Sequence, residues 1–350
     1  AAAQRGRESG LAATLAPLEQ PRLGTNVSLE LYPDEQALRS LLHQLRQAGL
    51  GVLRQRFAWE ELEPAPGVYD WTLWDQVLPL VHAEGFDIIA VLDTSPVWAR
   101  AQWEVDNRWA PPLDMDAYAR FASAFATRYG RYIQAYQVWD QPNIAPHWGA
   151  GEVDPAGYVR MLAAASTALR TAQPQARIIA GGLAPNTEPG GRNQNDLQYL
   201  REICRRGALQ HCDILGVKGY GFWSGAYDRR ASADLLNFSR IALARAELVR
   251  RGAQSVPIWL LEGGWCALPV DWTGLDSPLG NDSAFVQSQR LEQAIERLQR
   301  EWPWLSLACL QVAQPNAPAE DPAWGFALLD AQGHPTALYD SLRQQARKVD

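Results

Sequence analysis

Short apolar segments alternate with amphipathic segments along almost the whole chain. An apolar run followed by a helical pattern, repeated many times, is typical of β-strands that are each followed by a helix. The pattern predicts about eight strands and about eight helices. The strand-like segments lie at 24–31, 51–57, 87–92, 135–139, 177–182, 214–220, 258–261 and 305–312.

Helical periodicity with recognisable start and stop residues fills the segments between the apolar runs. A leucine repeat over 38–45 at i, i+3, i+4 and i+7 follows a capping residue, Asp34, and ends before Gly49. The dipeptide Asp154-Pro155 supplies a cap and a first-turn proline for another helix. The same reasoning predicts helices from Asp154 to about Thr171, from Ala233 to Arg251 and from Ser283 to Glu301.

About eight strand–helix pairs in one domain favour a closed α/β barrel of the (β/α)8 or TIM type over an open doubly wound sheet. The first strand, "GTNVSLEL", carries no glycine-rich phosphate fingerprint of the G-x-G-x-x-G kind. We therefore predict a single barrel domain over 23–347 and expect residues 1–22 to form a flexible extension. In such a barrel the functional residues lie at the carboxyl ends of the strands.

The composition is that of a globular protein and argues against several function classes. The chain has 350 residues, of which 47% are hydrophobic and 20% charged, and its net charge is −7. Since no basic face is apparent, we expect no nucleic-acid partner. No apolar run approaches the roughly 20 residues that cross a bilayer. The Ala- and Arg-rich start without Met is typical of a mature or trimmed chain that has lost a targeting segment, so we expect an extracytoplasmic or secreted protein. No extra domain is obvious, so we expect a monomer.

The four cysteines do not have the paired spacing of a zinc site. We therefore expect no structural metal, and no cofactor is implied. The segment "CRRGALQHC" brackets a short loop with Cys204 and Cys212, and two states stay open for this pair. It forms a disulfide in an oxidising compartment, or it consists of two packed free thiols.

Aromatic and carboxylate side chains crowd the predicted strand ends. The second strand ends in "RQRFAWEELEPAPGVYDW", the fourth in "YQVWDQPNIAPHWG" and the seventh in "IWLLEGGW". Indole faces stack on the apolar faces of sugar rings, while carboxylates and amides bind the hydroxyl groups. The pattern thus predicts a carbohydrate site, although about half of these tryptophans are expected to pack in the core, most readily Trp59, Trp71 and Trp139.

These segments resemble the retaining glycoside hydrolases of clan A, with the layout of families 5 and 39. The "WDQPN" at 139–143 is similar to the family's Trp-Asn-Glu-Pro-Asn, whose Glu is the acid/base, and "LEGGW" at 261–265 is similar to its nucleophile segment. The resemblance covers most of the chain. It implies hydrolysis of β-linked oligosaccharides or polysaccharides by double displacement, and further matches in the family's order are Arg56, "EPAPGVYDW", "SPVWA" and "WGFALLDAQGHPTALY".

The resemblance assigns Glu262 as the nucleophile and Gln141 to the acid/base position. It also implies that Arg56 and Tyr220 position Glu262, with the positive charge of Arg56 keeping the carboxylate ionised. The remaining candidates for substrate binding are Asp140, Asn143, Trp148, Lys218, Trp265 and Trp324.

Gln141 is the main departure from the family pattern. An amide has no proton to donate at neutral pH. Two interpretations stay open: a Glu→Gln change introduced to stop a retaining enzyme, or a native Gln in a branch that has lost or relocated its acid. If the acid is relocated, the carboxyl candidates are Asp140, Asp93, Glu60 and Glu63.

Asp140 and Lys218 depart from the pattern as well. Asp140 accepts a hydrogen bond from a sugar hydroxyl but cannot donate one, and Lys218 stands where the family commonly has His. Lys218 is expected to bind a substrate hydroxyl, to bind an acidic sugar or to neutralise Glu262. Three functions therefore remain as hypotheses: a retaining glycoside hydrolase impaired by Gln141, a glycan-binding barrel without catalysis, and a transglycosylase that uses the same two positions.

Overall fold

Eight parallel strands close into a barrel in the computed structural model, which describes residues 22–32 and 34–347. The strand order around the barrel follows the chain from the first to the eighth, which pairs with the first. The predicted (β/α)8 fold is confirmed. The strands are β1 (Arg22–Val27), β2 (Val52–Ala58), β3 (Asp87–Asp93), β4 (Ile133–Val138), β5 (Ile178–Leu183), β6 (Ile214–Tyr220), β7 (Ile258–Gly264) and β8 (Leu305–Leu310).

Helices of ten residues or more alternate with the strands in the described ranges. Shorter helical turns, such as Trp59–Leu62 and Pro322–Phe326, lie in the connections. The helices are α1 (Glu35–Gln47), α2 (Thr72–Ala83), α3 (Met115–Tyr129), α4 (Pro155–Ala172), α5 (Asp196–Arg205), α6 (Ile241–Arg250), α7 (Ala284–Glu301) and α8 (Ala337–Ala346).

The described chain divides into two compact units. The first unit comprises 22–54, 84–86 and 218–347, and the second comprises 55–83 and 87–217. The predicted extension over 1–22 lies outside the described residues, apart from the first residue of β1. The single-domain organisation stays a prediction.

Each unit has an aromatic core of its own. In the second unit, Trp59 stacks on Phe121 with ring centroids 5.5 Å apart, and Tyr118 packs against the edge of the same indole. In the first unit, Trp302 stacks between Phe238 and Trp304, 5.3 Å from each. Large buried rings contribute strongly to stability because each removes a wide apolar area from water.

The predicted packing role of three tryptophans is mostly confirmed. Trp59 and Trp139 are fully buried. Trp71 is half-buried, with its ring stacked on Tyr69 at 4.8 Å and its edge against Tyr129.

The two predicted helix caps are confirmed. The Asp34 carboxylate accepts hydrogen bonds from two backbone N–H groups in the first turn of α1. Asp154 accepts from the N–H of Ala156 ahead of α4, whose first residue is Pro155. The structure adds a cap that was not predicted, since the Ser283 hydroxyl accepts from the N–H of Val286 in the first turn of α7. A cap supplies an acceptor to N–H groups that have no partner inside the helix.

The helix predicted over 233–251 is wrong at its start, because α6 begins only at Ile241. A 3-10 turn, Phe238–Arg240, precedes it. The loop before that turn is held by side chains: Asn237 and Arg240 donate hydrogen bonds to carbonyl groups of the loop. Polar side chains that bind nearby backbone groups compete with helix formation.

The four cysteines are free and buried. Cys204 and Cys212 are thus packed thiols in this structure, and burial raises the pKa of Cys212 to about 12.

Within the described ranges no helix is long and apolar enough to cross a membrane. The same residues contain no cluster of three or more His, Cys, Asp or Glu side chains arranged to hold a metal ion.

Asp34→Ala is expected to lower the free energy of unfolding by about 1 kcal/mol, because two N–H groups of α1 lose their acceptor. Denaturant titration of both variants measures the change against a matched control, Asp106→Ala, which removes an exposed carboxylate from a loop. Equal losses in the two variants would contradict the capping role.

Candidate active site

Glu262 lies inside β7, close to its carboxyl end. The predicted strand stops at Leu261, but the structure continues it to Gly264. The two glycines after Glu262 allow this extension, since a Cβ on Gly263 would lie 2.2 Å from the carbonyl oxygen of Gly219 in β6. Gly264 has a φ of +135°, which disfavours a larger residue. The side chain of Glu262 is 17% exposed.

Both carboxylate oxygens of Glu262 have partners in β6. The ammonium group of Lys218 donates to Oε2 at 2.9 Å, and the hydroxyl of Tyr220 donates to Oε1. Residues two apart on a strand point to the same side, so β6 presents both donors together. The predicted positioning contact of Tyr220 is present, and of the three roles considered for Lys218 the structure displays the pairing with Glu262.

Arg54 is a charged neighbour of Glu262 that the sequence analysis did not single out. Its Nη1 lies 3.7 Å from Oε2 of Glu262, and its side chain is buried. This contact was predicted for Arg56, two residues further along β2. The strand sequence "VLRQRFA" places Arg54 and Arg56 two residues apart on the same face of β2. The sequence alone therefore does not show which of them contacts Glu262.

Asn26, at the end of β1, is a second residue that the sequence did not reveal. Its amide Nδ2 donates to the carbonyl oxygens of Leu261 at 3.0 Å and Leu310 at 2.9 Å, while its Oδ1 accepts from Arg54. Asn26 therefore holds Arg54 and the backbone of the residue before Glu262. We call Asn26, Arg54, Lys218, Tyr220 and Glu262 the Glu262 cluster.

The second unit holds a separate charged group around Arg56. Its Nε lies 2.9 and 3.0 Å from the two carboxylate oxygens of Asp93, and its Nη2 lies 3.6 Å from Oδ2 of Asp140. Gln137 donates to the other oxygen of Asp140 at 2.9 Å, and the guanidinium lies over the ring of Trp109. We call these five residues the Arg56 cluster. The predicted contact of Arg56 with Glu262 stays a prediction.

Two protonated side chains border the clusters. Burial raises the pKa of the Cys309 thiol to about 12. Burial, followed by the negative charge of Asp93, raises the pKa of Tyr118 well above its ordinary value. Both groups stay neutral at neutral pH and add no charge to either cluster.

Gln141 follows β4 in a strained stretch of backbone. Its φ is +55° and that of Trp139 is +62°, both in the left-handed region that non-glycine residues rarely adopt. Thr94 after β3 and Phe222 after β6 also have positive φ. Such strain costs about 1–3 kcal/mol at each residue and is concentrated at functional sites. The strained residues all follow the carboxyl end of a strand, where a barrel carries its functional residues.

Three of the predicted substrate contacts lie in the interior instead. Asn143 uses its whole amide on backbone groups, donating to Ala184 and Gln194 and accepting from Ala184. Trp148 and Trp265 are buried, the former edge-on to Trp139 and Tyr158, the latter donating to the carbonyl of Ser224. Their predicted substrate contacts stay predictions, since a sequence does not distinguish a buried amide or indole from an open one.

Trp324, by contrast, is half-buried, with its indole N–H donating to the carbonyl of Pro318. The residue is less completely buried than Trp148 and Trp265. Its predicted stacking role stays a prediction.

The carboxyl groups considered as a relocated acid all have partners. Glu60 pairs with Arg100 and Arg108. Glu63 is buried and accepts from the indole N–H of Trp59 at 2.6 Å and from the N–H of Gly67 at 2.7 Å. Asp93 and Asp140 belong to the Arg56 cluster. Each candidate is thus engaged by side chains or backbone groups of the protein, and a relocated acid stays a prediction.

The comparisons with known proteins agree with this architecture. A family model described as beta-galactosidase, of glycoside hydrolase family 42, matches residues 30–107. A search against curated proteins finds no match.

Among solved structures, a family 39 glycoside hydrolase from Bacteroides cellulosilyticus WH2 has a TM-score of 0.68 at 17% identity, over 97% of this chain and 66% of that one. A monomeric beta-xylosidase from Caulobacter crescentus CB15 has a TM-score of 0.64 at 16% identity, over 95% and 69%. A GH5_18 protein from Bifidobacterium longum subsp. infantis has a TM-score of 0.68 at 14% identity, over 95% and 79%.

At these identities the likeness shows the fold. The chain spans about two thirds of the length of the first two structures. The resemblance to clan A glycoside hydrolases of families 5 and 39 is thus confirmed for the barrel.

A double-mutant cycle on Lys218 and Glu262 tests the ion pair. Lys218→Met and Glu262→Gln are each expected to lower the free energy of unfolding by about 3 kcal/mol, because each removes the ion-pair partner of a charge that is largely withdrawn from water. The double variant is expected to recover part of that loss. Denaturant titration measures the coupling, and a cycle on the exposed pair Arg128 and Asp75 is the control, with an expected coupling below about 1 kcal/mol. Strictly additive losses at Lys218 and Glu262 would contradict the pairing.

Proposed function

We propose that the chain is the barrel of a retaining glycoside hydrolase acting on β-linked glycans. In this proposal Gln141 occupies the acid/base position and supplies no proton to the leaving group. The observation that carries the proposal is the Glu262 carboxylate at the end of β7, with one oxygen bonded by Tyr220, the other by Lys218, and Arg54 close by. The likeness of the fold to glycoside hydrolases supports it.

In the proposed first step, a carboxylate oxygen of Glu262 attacks the anomeric carbon of the sugar. A covalent glycosyl ester forms, and the bond to the leaving oxygen breaks. Water then attacks the same carbon, releases the sugar and regenerates the carboxylate. The donors in β6 fix the direction of the Glu262 oxygens, so little reorganisation precedes attack.

The proposed weak point is proton delivery. A sugar leaving as an alkoxide needs a proton, and a positioned acid typically contributes 10²–10⁴-fold to the rate. The amide of Gln141 donates a hydrogen bond but no proton. An aryl leaving group of low pKa departs without that help. The chain is therefore expected to react with activated aryl β-glycosides far better than with natural glycans.

A second candidate function is that of a barrel that binds glycans but does not hydrolyse them. Two observations favour it: Gln141 at the acid/base position, and the engagement of both Glu262 oxygens by side chains of β6. Under this alternative the Glu262 cluster would bind sugar hydroxyl groups without attacking carbon.

Gln141→Glu is expected to raise hydrolysis of β-linked glycans by about 10²–10⁴-fold and to change hydrolysis of activated aryl glycosides much less. The panel should contain β-linked xylose, mannose, glucose and galactose, the sugars in the names of similar proteins. Product release over time measures the rates. The control, Gln141→Glu combined with Glu262→Gln, is expected to lose the gain.

An unchanged rate on every glycan would contradict the proposed acid/base position. Saturable oligosaccharide binding in that case would favour the glycan-binding barrel.

A further inference from the structure

Trp223 presents an open indole close to the Glu262 cluster. It is 69% exposed, whereas Trp148 and Trp265 are buried. It follows β6, the strand whose Lys218 and Tyr220 both bond Glu262. An isolated exposed apolar residue needs no functional explanation by itself. Trp223 differs because the surrounding backbone fixes its position.

The turn that carries Trp223 is fixed to β7 by hydrogen bonds. The N–H of Gly221 donates to the carbonyl of Gly264 at 3.1 Å, two residues after Glu262. Ser224 closes the turn by donating from its N–H to Gly221, and its own carbonyl accepts from the Trp265 indole at 2.7 Å. Both ends of the turn are therefore tied to the strand that carries the proposed nucleophile or to the residue that follows it.

The backbone on either side of the indole is also tightly constrained. Phe222 has a φ of +52°. The loop after β7 approaches so closely that a Cβ on Gly280 would lie 2.3 Å from the carbonyl oxygen of Phe222 and 3.3 Å from the N of Trp223. A strained residue persists only where its surroundings determine it. Trp223 is thus an exposed ring on a rigid support.

That support is continuous with the Glu262 cluster. The ring of Tyr220, which bonds Glu262, lies 6.2 Å from the ring of Phe222, and the Phe222 ring lies 5.9 Å from that of Trp223. Tyr220 and Phe222 pack in one buried group with Cys266, Leu268 and Phe326. The open indole is therefore displaced from Glu262 by a short series of packed rings.

We infer that Trp223 is a stacking platform for a pyranose ring of the glycan that lies outside the reacting position. This inference rests on the proposed function and gives it a substrate class: extended β-linked oligosaccharides or polysaccharides rather than single terminal sugars. An indole held in place binds the apolar face of a sugar with little loss of side-chain entropy. The displacement from Glu262 means that a short ligand bound at Glu262 does not reach the platform.

Binding as a function of chain length tests the platform. Isothermal titration calorimetry compares the unaltered chain with Trp223→Ala, using the hexasaccharides and disaccharides of β-1,4-linked xylose, mannose and glucose. Trp223→Ala is expected to weaken hexasaccharide binding about tenfold, equivalent to about 1.4 kcal/mol, and to leave disaccharide binding unchanged. Trp223→Phe is expected to retain part of the affinity. Phe285→Ala is the control, because Phe285 is 75% exposed but lies in the first turn of α7.

Three outcomes distinguish a failure of the Trp223 platform from a failure of the proposed function on which it rests. A length-dependent loss in Trp223→Ala and none in Phe285→Ala supports the platform. Binding that is equal in Trp223→Ala and the unaltered chain overturns the platform and leaves the proposed function standing. An unaltered chain that binds none of the six oligosaccharides overturns the proposed function and the platform together.

Discussion

The ion pair between Lys218 and Glu262 is the interaction on which the rest of the site depends. Transferring a carboxylate and an ammonium group out of water costs several kcal/mol for each ion, and their attraction offsets that cost only when further donors complete the geometry. Tyr220 supplies one such donor and Arg54 a second positive charge. Because each partner is placed by a barrel strand, the fold holds the Glu262 carboxylate in one direction.

The backbone around this pair is adapted to it. Gly263 allows β6 to approach β7 closely enough for Lys218 to reach Glu262. Asn26 joins three strands by donating to carbonyls of β7 and β8 while accepting from Arg54 in β2. The turn after β6 is then tied to β7 by the hydrogen bond from Gly221 to Gly264. The same strand contacts that orient the carboxylate therefore also hold the open indole of Trp223.

The sequence predicted the barrel because strands and helix starts depend on local patterns, whereas the assignment of Glu262 came from the resemblance of "LEGGW" to a known segment. Alternating apolar runs give the strands, and Asp34 and Asp154 mark helix starts through bonds within one turn. Contacts between distant residues leave no such pattern. The sequence did not distinguish Arg54 from Arg56 as the neighbour of Glu262. Nothing in the sequence separated Asn26 from other polar residues at strand ends. The burial of Asn143, Trp148 and Trp265 depends on elements far away in the chain.

Covalent trapping of Glu262 tests the central claim most directly. An activated 2-deoxy-2-fluoro β-glycoside with a dinitrophenolate leaving group needs no proton from residue 141, so the chain can be used unaltered. The account predicts release of the phenolate and a mass increase of one fluoro-sugar, located by peptide mapping on Glu262 and lost in Glu262→Gln. No adduct with any sugar of the panel, or an adduct on another residue, would contradict the account.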